Sequence, residues 1–364
     1  MIVKDEEGTL SRALKSVKPF ADEIVVVDTG STDGSVEIAR QFTDRIYFFE
    51  WCDDFARARN FSFSKATCDL VMWLDADDEI TEDNAEIFKQ LKLREDFDTA
   101  MVKYAMAFEG DEPTFVYYRE RVFRRALNPV WVGEVHEVIS PLGRVIYSHA
   151  CVYHKKVKVN PTARNLHIYQ RKVGKGEKLD ARQKFYYGRE LYFNGLYEEC
   201  VAVLNDFLKG EFWEENGVEA CRTLCRALTA LGRREEGITA LLHAFTLSRP
   251  RAEDCCILAN YLEDKGQLQS AIFWYGCALK SEENAESGAF INTDYLTFIP
   301  AIRLCVIYDR LGNLPLAEHY NEVAGKAKPN DKSYLHNRQY FKEKRLHGAQ
   351  FTQKDANKNG DTGA

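Results

Sequence analysis

With 364 residues, 45% of them hydrophobic and 29% charged, the chain holds enough apolar material for packed cores and is long enough to predict two domains. Its 56 acidic against 49 basic residues give a formal net charge of -7, which argues against a protein that coats nucleic acid and suits a soluble cytoplasmic enzyme. No apolar window approaches the ~18 residues of a membrane-spanning helix, and the first residues lack a signal-peptide layout. Ten cysteines without paired C-x-x-C spacing indicate neither a zinc ribbon nor a disulfide framework.

From residue 1 to about 155, short β-branched runs alternate with amphipathic stretches, which predicts parallel strands joined by crossover helices in a doubly wound α/β domain. The predicted strands are Glu23–Val27, Arg45–Phe49, Asp69–Leu74 and Ala100–Ala107. The predicted helices are Leu10–Val17, Gly34–Gln41, Phe55–Lys65 and Asn84–Leu93. Residues 1–3 are few for a first strand, so the chain is expected to begin inside it. The domain is placed over 1–157 and a basic linker over 158–183, where Lys158, Arg164, Arg171, Lys172, Lys175 and Lys178 face only Glu177 and Asp180. A solvated connector is favoured there over a polyanion site.

Residues 184–345 carry helical patterning with four recurring phrases that open at Gly195, Gly232, Gly266 and Gly312, spaced 37, 34 and 46 residues apart. A glycine that ends one helix just before an amphipathic helix begins describes a helical hairpin. A period near ~34 resembles tetratricopeptide repeats. That resemblance implies an all-α array with a concave surface for a peptide or protein, and a means of forming a homo-oligomer. Residues 346–364 are polar and expected to be disordered.

Two acidic motifs follow hydrophobic runs, where open α/β sheets place their ligands. The first is Ile24-Val-Val-Val-Asp28-Thr-Gly-Ser-Thr-Asp33, the second Asp69-Leu-Val-Met-Trp-Leu-Asp75-Ala-Asp77-Asp78-Glu79. Alternate residues of an extended segment point the same way, so Asp75 and Asp77 could aim at one hard divalent ion such as Mg²⁺ or Mn²⁺. The bland alternative is an acidic turn that ends a strand and caps a helix. Asp28-Thr-Gly-Ser31 also reads as the active-site turn of an aspartic protease, but the helix expected from Ser35 contradicts the all-β fold this requires. The pattern of haloacid dehalogenase phosphatases is not met by Asp75-Ala-Asp-Asp-Glu79.

Five pieces in order, Met1-Ile-Val-Lys-Asp-Glu-Glu7, Val27-Asp-Thr-Gly-Ser-Thr-Asp33, Phe55-Ala-Arg-Ala-Arg-Asn60, Trp73-Leu-Asp-Ala-Asp-Asp78 and Trp131-Val-Gly-Glu-Val-His-Glu137, resemble glycosyltransferase family 2. These are inverting nucleotide-sugar transferases with a GT-A fold, Rossmann-like and doubly wound. The sequence departs from the family in its short opening strand and in Lys4-Asp5-Glu6, where the family has Lys-Asn-Glu. Together with tetratricopeptide-like helices, the chain looks like the bacterial subgroup that includes enzymes glycosylating cysteine in bacteriocin peptides.

The resemblance implies a role for each matching residue. Asp28 would contact the uracil or ribose of a UDP-sugar, Asp33 would help hold that loop, and Arg59 would reach the nucleotide or diphosphate. Asp77 would be the direct ligand of Mn²⁺ or Mg²⁺, with Asp75 shared between metal and ribose or sugar hydroxyls and His154 as a third ligand. Glu137 is the choice for general base, with His136 its neighbour on the same strand or loop, facing the opposite way if the segment is a strand, and Glu134 and Asp78 as competitors. Arg119, Arg121, Arg124 and Arg125 are candidates to clamp diphosphate, at least two of them expected to be merely solvated. The acceptor is expected to be a peptide or protein, or else a glycan or lipid-linked intermediate. A repeat scaffold that binds nucleotide without catalysis is the rival reading.

Overall fold

The computed structural model describes residues 1–110, 112–155, 163–282 and 291–358. The chain divides into two compact units, the first built on Met1–Leu247 and the second on Ser248–Glu283 and Asn292–Ala364.

The first unit opens as its patterning predicts. Strands β1 (Ile2–Val3), β2 (Val26–Asp28) and β3 (Ile46–Phe48) form a parallel sheet in that order. Helix α1 (Leu10–Val17) buries Leu10 and Leu14 against Val3, Val26 and Ala39, the last from α2 (Ser35–Arg40). The register sets Val3 opposite Asp28, so the first acidic motif lies where the strands end. Helix α3 (Phe55–Ser64) is capped by Asp54, whose side chain accepts from the Arg57 amide.

Strand β4 (Leu70–Met72) begins a second sheet, ordered β4-β7-β6-β8-β5, and here the parallel expectation is corrected. Strand β6 (Thr99–Glu109) pairs antiparallel with β7 (Glu112–Arg124) and parallel with β8 (Val145–His154), while β8 pairs antiparallel with the two-residue β5 (Asp78–Glu79). Of β7 only a solvated basic strand at its arginines was expected, and β8 was not expected. In β7 the charged run Arg119-Glu120-Arg121 breaks the apolar signature, because its charges are matched inside the fold instead of facing water. Helix α4 (Glu82–Lys92) buries Phe88 and Leu91 in a core with Phe97, Val102 and Tyr104. A cavity of 740 Å³ beside Met1, Ile24, Leu70 and Phe88 is lined by none of the expected acids or histidines, and of the candidate arginines by Arg124 alone.

Helix α5 (Ala163–Gly174) occupies much of the span read as a linker, and it buries Leu166, Ile168 and Tyr169. Residues 156–162, at that linker's start, lie outside the described residues. Helices α6 (Ala181–Phe193), α7 (Tyr197–Phe207), α8 (Glu214–Ala230) and α9 (Arg234–Leu247) complete the first unit. The second contains α10 (Ala252–Asp264), α11 (Leu268–Leu279), α12 (Phe298–Arg310), α13 (Leu314–Ala327) and α14 (Lys332–Lys358). The expected disordered tail overlaps the end of α14, and residues 359–364 lie outside the described residues. Among the described residues, no helix is long and apolar enough to cross a membrane.

The four repeat glycines do the same work in both units. Gly195, Gly232, Gly266 and Gly312 all have φ between +74° and +78°, the left-handed region open to glycine at low cost. At Gly195 the glycine amide donates to Tyr192 O and the next amide to Leu191 O. The same pair of bonds recurs at Gly232, Gly266 and Gly312, the Schellman arrangement that ends each first helix of a hairpin. Close packing inside a hairpin rests on a different glycine, Gly188 of α6, where an added Cβ would stand 2.3 Å from Leu204 of α7. Gly188→Ala is therefore expected to destabilise the protein by about 1–3 kcal/mol. Urea denaturation should show the loss, and Leu204→Ala should cost less in the Gly188→Ala background than in the parent, because it removes the side chain that the new methyl meets.

Candidate functional site

The turn after β2 is built by its own acids. The Asp28 carboxylate accepts from the Gly30 amide at 2.9 Å and the Ser31 amide at 3.0 Å, while Gly30 adopts φ +101°. Asp33 accepts from the Glu7 amide at 3.1 Å, the Ser35 amide at 3.0 Å and the Ser35 hydroxyl at 2.5 Å. Asp5, itself at φ 52°, accepts from the Thr32 amide at 2.6 Å. The loop between β1 and α1 is thus laced to the loop after β2. Asp28 is buried at the base of this double loop, and Asp33 lies on its far side.

The second acidic motif is not uniformly extended. A turn brings the Asp78 amide onto Asp75 O at 3.1 Å, and Asp78 then pairs with His154 across β5 and β8. That register gathers Asp77, Asp78 and His154 so that one ligand atom from each lies within 4.8 Å of the others. His154 Nδ1 stands 3.4 Å from Asp77 Oδ1 and 3.1 Å from Asp78 Oδ1. Burial alone would lower the His154 pKa, but the hydrogen bond with Asp78 and the surrounding carboxylate charges raise it. Burial raises the Asp77 pKa, and the neighbouring carboxylates Asp75 and Asp78 push the same way, against His154.

Two carboxylates and an imidazole are a donor set that suits Mn²⁺ or Mg²⁺. Within it the burden is divided. Asp78 is fully buried and already accepts from the Tyr104 hydroxyl at 2.8 Å, Arg121 Nη1 at 3.3 Å and the Asp75 amide at 3.1 Å. Asp77 and His154 are partly accessible, whereas Asp78 is sealed, and the Oδ1 atoms of both acids approach the same imidazole nitrogen, Nδ1.

Asp75 stands apart from that group, because its Oδ1 takes a 2.8 Å bond from Arg59 Nη2. The same guanidinium gives Nε to Glu137 Oε1 at 2.6 Å. Arg59 is buried, with its guanidinium 5.4 Å from the Trp73 ring centroid and 4.9 Å from that of Trp131. Burial would raise the Asp75 pKa, yet the charge and hydrogen bond of Arg59 hold it below the usual carboxylate range. Helix α3 thereby ties the acidic turn to the Trp131–Glu137 segment, and Asn60 adds reciprocal bonds to Trp131 O at 2.9 Å and Trp131 N at 2.8 Å.

Of the strand and the loop left open for that segment, it is a tight loop. Val132 and Val138 exchange backbone hydrogen bonds of 2.9 and 3.1 Å, enclosing residues 133–137, with Gly133 at φ +103° and His136 at φ 53°. Strand alternation does not apply, so each side chain takes its own direction. Glu134 binds Lys172 of α5 at 2.6 Å, and Val135 packs with Ile168 and Tyr169. Glu137 meets Arg59, and His136 Nε2 meets Glu190 of α6 at 2.7 Å.

The arginines proposed as a diphosphate clamp serve other partners. Arg121 is fully buried against Asp78 and the Trp73 ring, and Arg119 pairs with Glu120 at 2.9 Å. Arg124 bonds to the carbonyls of Phe97 and Arg94, and Arg125 to that of Cys68. The sequence reading missed Tyr104 and Glu190 altogether. A single tyrosine or glutamate far along the chain carries no local signal, and only β-sheet register or helix packing brings it in.

A family model described as Glycosyl transferase family 2 matches residues 1–157. A TPR repeat-containing protein of Synechococcus elongatus is 34% identical over 140 residues, 38% of this chain and 34% of its own length. The SPbeta prophage-derived glycosyltransferase SunS of Bacillus subtilis is 28% identical over 229 residues, 57% of this chain and 51% of its own. The chain thus spans between 34% and 51% of these relatives' lengths. The crystal structure of S. aureus TarS aligns with 65% of this chain and 52% of its own at 15% identity and a TM-score of 0.35, a likeness too low to carry an argument.

Proposed function

Because residues 1–157 are a glycosyl transferase family 2 domain, joined here to tetratricopeptide-like helical repeats, we propose that the protein is an inverting, metal-dependent hexosyltransferase. Its donor is a nucleotide sugar, UDP-linked by preference, and its acceptor a peptide or protein held by the repeats in the cytoplasm. The observation that carries this reading is the convergence of Asp77, Asp78 and His154 at the end of β4, beside an arginine that spans Asp75 and Glu137.

In this reading Asp28 and its turn receive the nucleoside, since a carboxylate accepts from a base N–H or a ribose hydroxyl. Asp75, oriented by Arg59, faces the ribose or sugar hydroxyls. Asp77 and His154 would hold the divalent ion, which would offset the negative charge that collects on the departing diphosphate. The loop of residues 133–137 supplies the proton acceptor, from His136 or Glu137, on the side of the sugar away from the diphosphate. The new bond forms at the anomeric carbon as the diphosphate leaves, and the configuration inverts.

The test is thermal shift with UDP, GDP, CMP and dTDP, each with and without Mn²⁺, on the parent and on Asp77→Asn. UDP at about a hundredfold its dissociation constant should add about 2.7 kcal/mol of stability when Mn²⁺ is present. The variant should lose that gain. A well-folded sample stabilised by none of the nucleotides would overturn the reading in favour of a non-catalytic scaffold. A screen of cell peptides against membrane-lipid extracts, read by sugar incorporation, tests the acceptor, and incorporation into lipid alone would sink the peptide assignment.

A further inference from the structure

Residues 182, 186 and 190 of α6 are spaced four apart, one above another on a single helix face, and all three grip one residue of the 133–137 loop. Arg182 Nη2 donates to the His136 carbonyl at 3.1 Å. Tyr186 lies under the imidazole, ring centroids 4.2 Å apart and planes 12° from parallel. Glu190 Oε1 meets His136 Nε2 at 2.7 Å and also accepts from Asn165 Nδ2 of α5 at 3.1 Å. The Glu190 side chain is 8% exposed and that of His136 31%, so the pair is anchored inside and open at the imidazole edge. His136 keeps a left-handed backbone that a non-glycine residue adopts only where its surroundings impose it.

We propose that His136, oriented by Glu190, is the group that takes the acceptor's proton, and that Arg182, Tyr186 and Glu190 are its positioning residues. The inference rests on the transferase reading and deepens it. An ionised carboxylate only accepts, so Glu190 fixes the tautomer with hydrogen on Nε2 and the lone pair on Nδ1. Among the described residues, Nδ1 has no hydrogen-bond partner. Glu137, the base expected from sequence, is differently placed, because Arg59 Nε holds its Oε1 at 2.6 Å and ties it to Asp75. A carboxylate behind an imidazole is the arrangement that holds a histidine base in the right tautomer and stabilises the imidazolium that forms.

The step balances simply. His136 Nδ1 takes the proton from the acceptor's O–H or S–H, and the freed electron pair forms the bond to the anomeric carbon. The carbon–oxygen bond to the nucleoside diphosphate breaks with its electrons on the leaving group. The imidazolium then returns its proton to solvent. The charged groups around the ring are Glu190 behind it, Glu137 next in the chain, Arg182 at its carbonyl and Arg164 of α5, whose charge is felt by both Glu137 and Glu190.

The test measures UDP release from UDP-glucose, UDP-galactose and their N-acetyl forms with Mn²⁺, using water and a total-cell peptide digest as acceptors. Glu190→Gln keeps an acceptor for Nε2 but removes the charge, and is expected to lower kcat about tenfold at unchanged donor KM. His136→Gly is expected to lower kcat at least a hundredfold and to regain part of it with added imidazole, which a merely structural role would not allow. UDP-dependent thermal shift, preserved in both variants, shows that fold and donor site survive. Turnover unchanged in His136→Gly, or lost there without imidazole rescue while Glu137→Gln is as damaging, would overturn the assignment. A parent protein that binds UDP with Mn²⁺ but releases none from any donor would overturn the transferase reading itself, and this inference with it.

Discussion

Arg59→Met is expected to unfold at a much lower urea concentration than the parent, a loss of about 3–5 kcal/mol, because removing one member of a buried ion network leaves its partners uncompensated. Both partners are affected at once. Asp75 loses its 2.8 Å contact and Glu137 its 2.6 Å contact, and the two tryptophan rings lose the cation between them. Arg59→Lys should fall between, since an ammonium is a point charge and cannot span both carboxylates as a planar fork does. The double variant Arg59→Met/Glu137→Gln should recover part of the loss, because the second change removes a charge the first has stranded. Equal stability of parent and Arg59→Met would show that Asp75 and Glu137 are solvated in solution.

The adjacent acids Asp77 and Asp78 should separate fold from function. Asp78→Ala is expected to cost about 3–5 kcal/mol, since it leaves the fully buried Arg121 without its counter-charge. Beyond Asp78, Arg121 keeps one 3.3 Å bond from Nη1 to the Trp73 carbonyl and the Trp73 ring face, and among the described residues its Nε and Nη2 have no hydrogen-bond partner. The same substitution removes the oxygen that the Tyr104 hydroxyl and His154 Nδ1 share at 2.8 and 3.1 Å, leaving them their own 3.0 Å contact. Asp77→Asn should behave oppositely. Burial already disfavours its charge, so folding should be little changed or improved while the Mn²⁺-dependent response to UDP disappears. Chemical denaturation of the two variants beside nucleotide thermal shift would check the division, and similar stability losses in both would refute it.

The parts of this molecule that were legible in sequence are those whose signal is local. The run Val25-Val26-Val27 before Asp28 and the spacing of Leu10, Ala13, Leu14 and Val17 each encode one element, and β2 and α1 lie where they were expected. The repeat glycines were equally plain, since a left-handed helix end selects glycine by itself. Strand β7 was not legible, because Arg119, Glu120 and Arg121 find their partners only after the sheet has formed. The Trp131–Glu137 motif was recognised as chemistry but left open between strand and loop, since its form is set by the Val132–Val138 closure and by contacts from α3, α5 and α6. Asp77 and His154 are 77 positions apart in the chain, and it is the pairing of β5 with β8 that makes them neighbours.

The hold of α6 on His136 also bears on how such a protein can be inherited and re-engineered. The family match stops at residue 157, whereas Arg182, Tyr186 and Glu190 lie beyond it in the same compact unit. A gene fusion that cut at that boundary and grafted the α/β part onto another array would carry the acids, Arg59 and the 133–137 loop, but would leave the imidazole without its carboxylate and its stacking partner. The smallest piece that can be exchanged intact therefore extends through α6. Substitutions at 136 and 190 should be tied to each other more closely than either is to the rest of the helices around it.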